Sequence, residues 1–179
     1  MAAVPARAAQ SAFDARLISP ISSAGSYRIF VERQDLIFIQ IEGGSKSVLA
    51  AIAPLLGPAE NLIPLGLWLF DRGKTKKRRE KVYEGDPEEL LRESNANFKL
   101  NLAEIREAAL EPPSLFAAGG KAGRLDLLVR HGEKIKCEFE TGEEVSKAIH
   151  LLVPLLNASL RINPRWNEAE ARFEKKKPD

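Results

Sequence analysis

The sequence has few of the residues on which common catalytic and structural sites depend. Its single cysteine, Cys137, excludes an internal disulfide and favours a reducing compartment, which makes the cytoplasm the expected location. The two histidines, His131 and His150, are not at metal-binding spacing, and no clustered carboxylates accompany them. We therefore expect no catalytic residue, no metal site and no cofactor.

Strong charge of one sign is also lacking. The formal net charge of the 179 residues is only +2, so no whole-molecule field would attract nucleic acid or lipid. An electrostatic partner must be recognised by a local patch. The hydrophobic share of 44% and the charged share of 29% are typical of one globular domain with a buried core.

Both ends of the chain lack apolar periodicity. Residues 1–26 are rich in Ala, Ser, Pro and Arg without a continuous apolar stretch, so they predict a disordered leader or a weak transit-like peptide, not a secretory signal. Residues 167–179 are mostly charged and are expected to fray. The single domain is thus expected to span residues 27–166, with residues 160–166 extended and packed back on the body.

Alternating apolar residues predict several strands. Residues 27–42 read as a β-hairpin whose second arm is apolar on both faces and should lie inside the sheet or under a cover. Residues 98–110 predict one bent strand or two short ones. Residues 124–139 predict a hairpin that turns at His131 and Gly132, with Cys137 on its apolar face as a small hydrophobe.

Two segments carry helix start signals. Asp86 is followed by Pro87 and two glutamates, which predicts a short helix capped by the Asp86 carboxylate. Thr141 and Glu144 form a second capping box. The helix that follows should present one apolar stripe, and Pro154 should bend or shorten it. The stripe consists of Val145, Ile149, Leu152 and Leu156.

The second half of the chain resembles bacterial pleckstrin-homology-like domains. The resemblance rests on the run FKLNLAEIREA at residues 98–108, the strand around residues 125–129, the strand ending at Phe139 and the helix from Glu143. In order, it covers roughly residues 27–157. It implies an α+β fold, in which an antiparallel sheet or partly open barrel is closed by a C-terminal amphipathic helix. Members of that fold bind phosphoinositides, peptides or proteins, or scaffold an assembly, so the resemblance implies a non-enzymatic binding or scaffolding module without assigning its ligand.

An apolar and basic insertion at residues 48–81 follows the first hairpin, and any function would sit there. Its apolar part is broken by three prolines and carries Glu60, which favours a shallow anchor at the inner membrane face over a spanning helix. Each basic residue near an anionic surface contributes about 1 kcal/mol. The candidate contacts with an anionic membrane or another partner are Trp68, Phe70, Arg72, Lys74, Lys76, Lys77, Arg78, Arg79 and Lys81.

Other interpretations of the insertion remain open. Its apolar part could cover an open sheet face, with the basic run as a solvated linker to the helix at Asp86. It could also form the interface of a homo-oligomer or contact another protein. Nucleic acid is disfavoured, because no aromatic residues are interleaved with the cations. The rival from a different class is an enzyme or ligand carrier whose pocket is assembled from residues distant in sequence.

Overall fold

An open, mostly antiparallel sheet is the main element of this α+β fold. The computed structural model describes residues 11–18, 25–42, 76–113, 120–130 and 132–174. The strands are β1 (Ala12–Ile18), β2 (Gly25–Val31), β3 (Asp35–Glu42), β4 (Phe98–Asn101), β5 (Ile105–Glu111), β6 (Gly123–Val129), β7 (Lys134–Phe139), β8 (Leu160–Ile162), β9 (Trp166–Asn167) and β10 (Arg172–Phe173). The eight-stranded sheet has the order β4-β3-β2-β1-β7-β6-β5-β8, and within it only β8 runs parallel to its neighbour. β9 and β10 form a separate two-stranded ribbon.

Three α-helices accompany the sheet in the described part of the chain. They are α1 (residues 76–84), α2 (Pro87–Leu91) and α3 (Gly142–Leu156). Both predicted caps are confirmed: the Asp86 carboxylate accepts from the backbone N–H groups of Glu88 and Glu89, and the Thr141 hydroxyl accepts from that of Glu144. Short 3-10 turns follow β4 (Leu102–Glu104) and α3 (Asn157–Ser159). α3 continues through Pro154 to its end at Leu156.

One core lies between the inner face of the sheet and α3. Strand residues from both ends of the sheet, such as Leu36 and Leu110, belong to the same apolar cluster as the stripe of α3. A sheet whose two ends share one core must curve around it. The α3 residues buried in this core are Val145, Ala148, Leu152 and Leu156, and they lie at helical spacing. The predicted stripe contained Ile149, which is half-buried, and Ala148 is the fully buried residue beside it.

A second apolar cluster covers the outer face of β1 to β3. Ile37 and Ile39 of β3 are fully buried there, together with Val82 of α1 and Leu90 of α2. Since alternate strand residues point to opposite faces, β3 is apolar on both sides. This confirms the prediction that the second arm of the first hairpin lies under a cover.

The outer face of β5 to β7 is instead lined by charges. Glu111 pairs in register with Arg124, Arg124 with Glu138, and Glu138 with Arg16, so acids and bases alternate across four strands. The Arg124 guanidinium contacts the Glu111 carboxylate and lies 2.8 Å from that of Asp126. Opposite charges on neighbouring strands favour this register.

The predicted disordered leader is wrong for its last part. Ala12–Ile18 form β1, the strand that joins the two halves of the sheet by pairing with both β2 and β7. Phe13, Ala15 and Leu17 are buried in the main core. Between the two large apolar residues, Phe13 and Leu17, the strand has only charged and small residues. β1 is ordered because strands distant in sequence bury one of its faces.

The predicted charged tail and basic linker also need correction. Residues 166–173 form the β9–β10 ribbon instead of fraying, and Phe173 packs against the buried Trp166 with ring centroids 4.9 Å apart. The ribbon approaches so closely that an added Cβ at Gly123 would lie 2.8 Å from the Phe173 ring. Residues 76–84 are a helix, α1, and not a solvated linker. Residues 160–166 do pack back on the body, as expected, through β8 and Trp166.

Candidate functional site

The structure places the C-terminal part of the predicted basic patch on one helix. α1 carries five of the nine candidate contacts: Lys76, Lys77, Arg78, Arg79 and Lys81. The other four lie outside the described residues: Trp68, Phe70, Arg72 and Lys74. The surface of α1, called the α1 basic face below, is therefore the part of the predicted site whose geometry can be described.

Two of the five cations share a single carboxylate partner. Glu93, just after α2, accepts a hydrogen bond from Arg78 Nη1 at 2.6 Å and lies 2.6 Å from Lys81 Nζ. Arg78 Nε also donates to the backbone carbonyl of Gln40 at 3.3 Å. The hydrogen bonds from Lys81, and then from Arg78, lower the pKa of the Glu93 carboxyl below its ordinary value. Arg78 and Lys81 thus attach α1 to the body of the protein.

The other three cations have no close carboxylate partner among the described residues. Lys76, Lys77 and Arg79 are exposed, and Lys76 makes only a loose contact, 4.0 Å from Glu80 one turn later. Lys77 and Arg79 form no ion pair with any residue that the structure describes. Of the α1 basic face, these three side chains are available to a partner.

A second group of contacts holds α1 against the outer face of the sheet. The Arg28 guanidinium carbon of β2 lies 3.9 Å from the centre of the Tyr83 ring, and Arg28 Nη1 donates to Asp14 Oδ1 of β1 at 2.9 Å. Asp14 is the cross-strand neighbour of Arg28, and its second oxygen accepts from the Tyr83 hydroxyl. A desolvated cation over an aromatic ring is stabilised by the ring quadrupole. The three residues, here the Arg28 cluster, fix the orientation of α1.

The Arg28 cluster also changes the ionisation of its tyrosine. Burial, and then the hydrogen bond to the Asp14 carboxylate, raise the pKa of Tyr83 above its ordinary value, because both favour the neutral phenol. A neutral Tyr83 hydroxyl therefore remains a donor to Asp14 through the physiological range.

A cleft opens beside α1 where β1 and β7 separate. The two strands pair at Arg16 and Glu138. Two residues earlier in β1, the Asp14 N–H does not pair with β7 and donates instead to Glu144 Oε2 of α3 at 2.6 Å. The resulting cavity has a volume of about 250 Å³. Its lining comes from β1, from the ends of β2 and β3, from α1 and from the start of α3: Asp14, Ala15, Arg16, Ser26, Ile41, Arg79, Glu140, Thr141, Glu143 and Glu144.

Of the residues considered for reactive chemistry, the structure describes Cys137 and His150. Cys137 is buried as predicted, and burial followed by the nearby Asp126 charge raises the pKa of its thiol to about 12. His150 is exposed on α3, with Nε2 2.7 Å from Glu168 Oε1, while His131 lies outside the described residues. Within the described ranges, no three His, Cys, Asp or Glu residues are grouped to hold a metal ion.

The part of the chain that the structure describes contains no helix long and apolar enough to cross a membrane. Val82 of α1 and Leu90 of α2 are buried against the sheet, and Leu91 of α2 packs against the same cluster.

Three residues that matter to the site were missed in the sequence: Asp14, Arg28 and Glu93. Asp14 and Arg28 alternate with apolar neighbours in their strands, which is a detectable strand signal, but their pairing depends on the β1–β2 register. Glu93 follows a short helix and has no local motif that would link it to α1.

No protein-family model matches the chain, and no curated protein matches it significantly.

Proposed function

We propose that this protein is a non-enzymatic binding module of the pleckstrin-homology-like type, which associates peripherally with anionic membrane surfaces from the cytoplasm. The observation that carries the proposal is the α1 basic face. Lys76, Lys77 and Arg79 are exposed on a helix whose position is fixed by the Arg28 cluster and by Glu93.

The order of elements supports the family part of the proposal. Pleckstrin-homology-like domains have seven strands and a closing helix, and β1 to β7 followed by α3 are compatible with that count in an antiparallel arrangement. β1, which the sequence patterns assigned to the leader, is one of the seven strands counted here. β8 extends the sheet at the β5 edge.

The charge distribution on α1 supports the membrane part. Residues 76–84 contain five cations and two acids, Glu80 and Glu84. Since Arg78 and Lys81 are held by Glu93, the cations without a close carboxylate among the described residues are Lys76, Lys77 and Arg79. At about 1 kcal/mol for each cation near an anionic surface, three such residues change the association constant by about 100-fold.

A rigid helix also suits such a surface. The side chains that anchor α1, Val82 and Tyr83, lie on the face turned toward the sheet. Binding by the exposed cations therefore requires no unfolding of α1, so little conformational entropy is lost on association.

Co-sedimentation of the whole protein with vesicles tests the proposal. The vesicles contain either phosphatidylcholine alone or phosphatidylcholine with phosphatidylserine. The variant K76S/K77S/R79S removes the free cations. Its matched control, R130S/K134S/K136S, removes three exposed cations from β7 and the β6–β7 turn with the same change of net charge.

We expect salt-sensitive binding of the wild-type protein to anionic vesicles, loss of about 100-fold in the α1 variant, and near wild-type binding in the control. Equal losses in both variants would mean that net charge, and not the α1 basic face, drives association. Absence of binding to anionic vesicles would refute the membrane proposal.

A further inference from the structure

The cleft between β1, α1 and α3 contains charges of both signs that do not pair with one another. Two guanidinium groups line it, Arg16 and Arg79, together with four carboxylates. The carboxylates belong to Asp14, Glu140, Glu143 and Glu144.

Each of the four carboxylates is occupied by a partner other than these arginines. Asp14 accepts from Arg28 and Tyr83. Glu140 lies 3.2 Å from Lys121 Nζ, and Glu143 and Glu144 each lie 2.8 Å from Lys147 Nζ. The ion pairs are therefore Asp14 with Arg28, Glu140 with Lys121, and Lys147 with both Glu143 and Glu144.

The two arginines are left without a carboxylate. Arg16 is the cross-strand neighbour of Glu138, but they form no ion pair in the described part of the chain, and Arg79 likewise has none there. They approach the cleft from different elements, β1 and α1. Ser26, whose hydroxyl can donate, also lines it.

We propose that this cleft binds a phosphate monoester, with Arg16 and Arg79 as its two guanidinium contacts and Ser26 as a neutral donor. Arginine presents a planar fork of donors that matches phosphate oxygens, and such charge-assisted bonds are stronger than neutral ones. Because Arg28, Lys121 and Lys147 offset three of the four carboxylate charges, the carboxylates repel the anion less than bare acids would.

The size of the cleft restricts the organic part of the ligand. A volume of about 250 Å³ lies just below the range of ordinary small-molecule pockets, roughly 300–1,000 Å³. It suits a phosphate on a small alcohol, such as the headgroup of phosphatidic acid or free glycerol 3-phosphate. The site deepens the proposed membrane function, on which its lipid form rests, by adding a headgroup-specific contact to the general attraction of the α1 basic face.

The first arm of the test uses soluble ligand. Amide shifts of Ser26 and Thr141 in ¹⁵N-labelled protein are followed during titration with glycerol 3-phosphate, and with glycerol as the uncharged control. The variants are R16S, R16K and, as a matched control on another part of the sheet, R106S, which also removes one exposed arginine.

The second arm uses vesicles of phosphatidylcholine with either phosphatidic acid or phosphatidylserine, matched for surface charge. Only the phosphatidic acid headgroup is a phosphate monoester. Arg16 is chosen because it is absent from α1, so its removal leaves the α1 basic face intact.

We expect saturable shifts with glycerol 3-phosphate, an affinity at least about 10-fold weaker in R16S, an intermediate value in R16K and no change in R106S. Binding seen only with phosphatidic acid vesicles, and weakened by R16S, would equally support the site and identify the lipid as its source. If R16S and the wild-type protein behave alike in both arms, the cleft proposal is overturned. Retained binding to phosphatidylserine vesicles in that case leaves the membrane function standing. Loss of that binding in K76S/K77S, which keeps the cleft residue Arg79, would concern the membrane function alone.

Discussion

Removing the carboxylate of the Arg28 cluster should destabilise the fold by a defined amount. Asp14→Ala leaves the Arg28 guanidinium between β2 and α1 with no anion. The Arg28 side chain is 8% exposed and that of Asp14 is 24% exposed. Breaking a fully buried pair costs about 3–5 kcal/mol, so we expect about 3 kcal/mol here, at the low end because Asp14 is partly hydrated.

The double variant Asp14→Ala/Arg28→Met separates the charge effect from lost packing. Replacing both members of a buried ion pair with apolar groups is often close to neutral, so the double variant should lie within about 1 kcal/mol of the wild-type protein. The two substitutions should therefore be strongly non-additive.

Equilibrium unfolding in urea measures these differences, since guanidinium chloride would screen the pair. A loss of about 3 kcal/mol corresponds to a fall in Tm of about 6–12 °C for a chain of this size. The control is Glu107→Ala, which breaks the exposed pair between Glu107 and Arg161 and should change stability by less than about 0.5 kcal/mol. A loss below about 1 kcal/mol for Asp14→Ala, or additive effects in the double variant, would refute the buried cluster.

Four further outcomes follow from the same contacts. The pKa of Tyr83 is raised in the folded protein, so the stabilisation that comes from its neutral hydroxyl is complete below the ordinary tyrosine pKa of 10.0 and is lost as the pH rises through the higher folded value. In Tyr83→Phe, the free energy of unfolding should therefore fall less steeply as the pH is raised. Cys137, buried and with its pKa raised to about 12, should resist iodoacetamide at pH 8 in the native protein and react in urea, as mass spectrometry would detect. Glu93→Gln frees the two cations that Glu93 holds, so binding to anionic vesicles should strengthen by about fivefold or more, measured by co-sedimentation. Leu152→Ala opens a cavity beneath α3 and should cost about 2–5 kcal/mol in urea unfolding, with m unchanged.

Local patterns in the sequence predicted the elements whose stability is local. The turn and alternation of residues 124–139 predicted β6 and β7, and the Asp86 and Thr141 caps predicted the starts of α2 and α3. Caps and alternation act between neighbours in the chain, so they can be recognised without knowledge of the tertiary fold.

β1 was missed because its order depends on distant partners. Its buried positions include two alanines, Ala12 on the outer face and Ala15 on the inner face, whose side chains give little apolar signal. Both pair with β2, and the end of β1 pairs with β7, which lies more than a hundred residues away. Composition assigned this segment to a leader, whereas long-range pairing makes it the central strand of the sheet.

The candidate site was predicted as a run of equivalent cations, and the structure makes them inequivalent. The division of α1 into bound and free charges depends on Glu93 and on the Gln40 carbonyl, neither of which is a local partner of a basic run. The same holds for the cleft, whose two arginines come from β1 and α1. A linear sequence shows which charges exist but not which are already neutralised.

Hydrogen–deuterium exchange with and without phosphatidylserine vesicles tests most directly the claim that α1 is the membrane contact. The account predicts slower exchange of the backbone amides in residues 76–84 when vesicles are present, and unchanged exchange in the turn between β6 and β7. Unchanged exchange in α1 under conditions where the protein sediments with the vesicles, or protection confined to another surface, would contradict it.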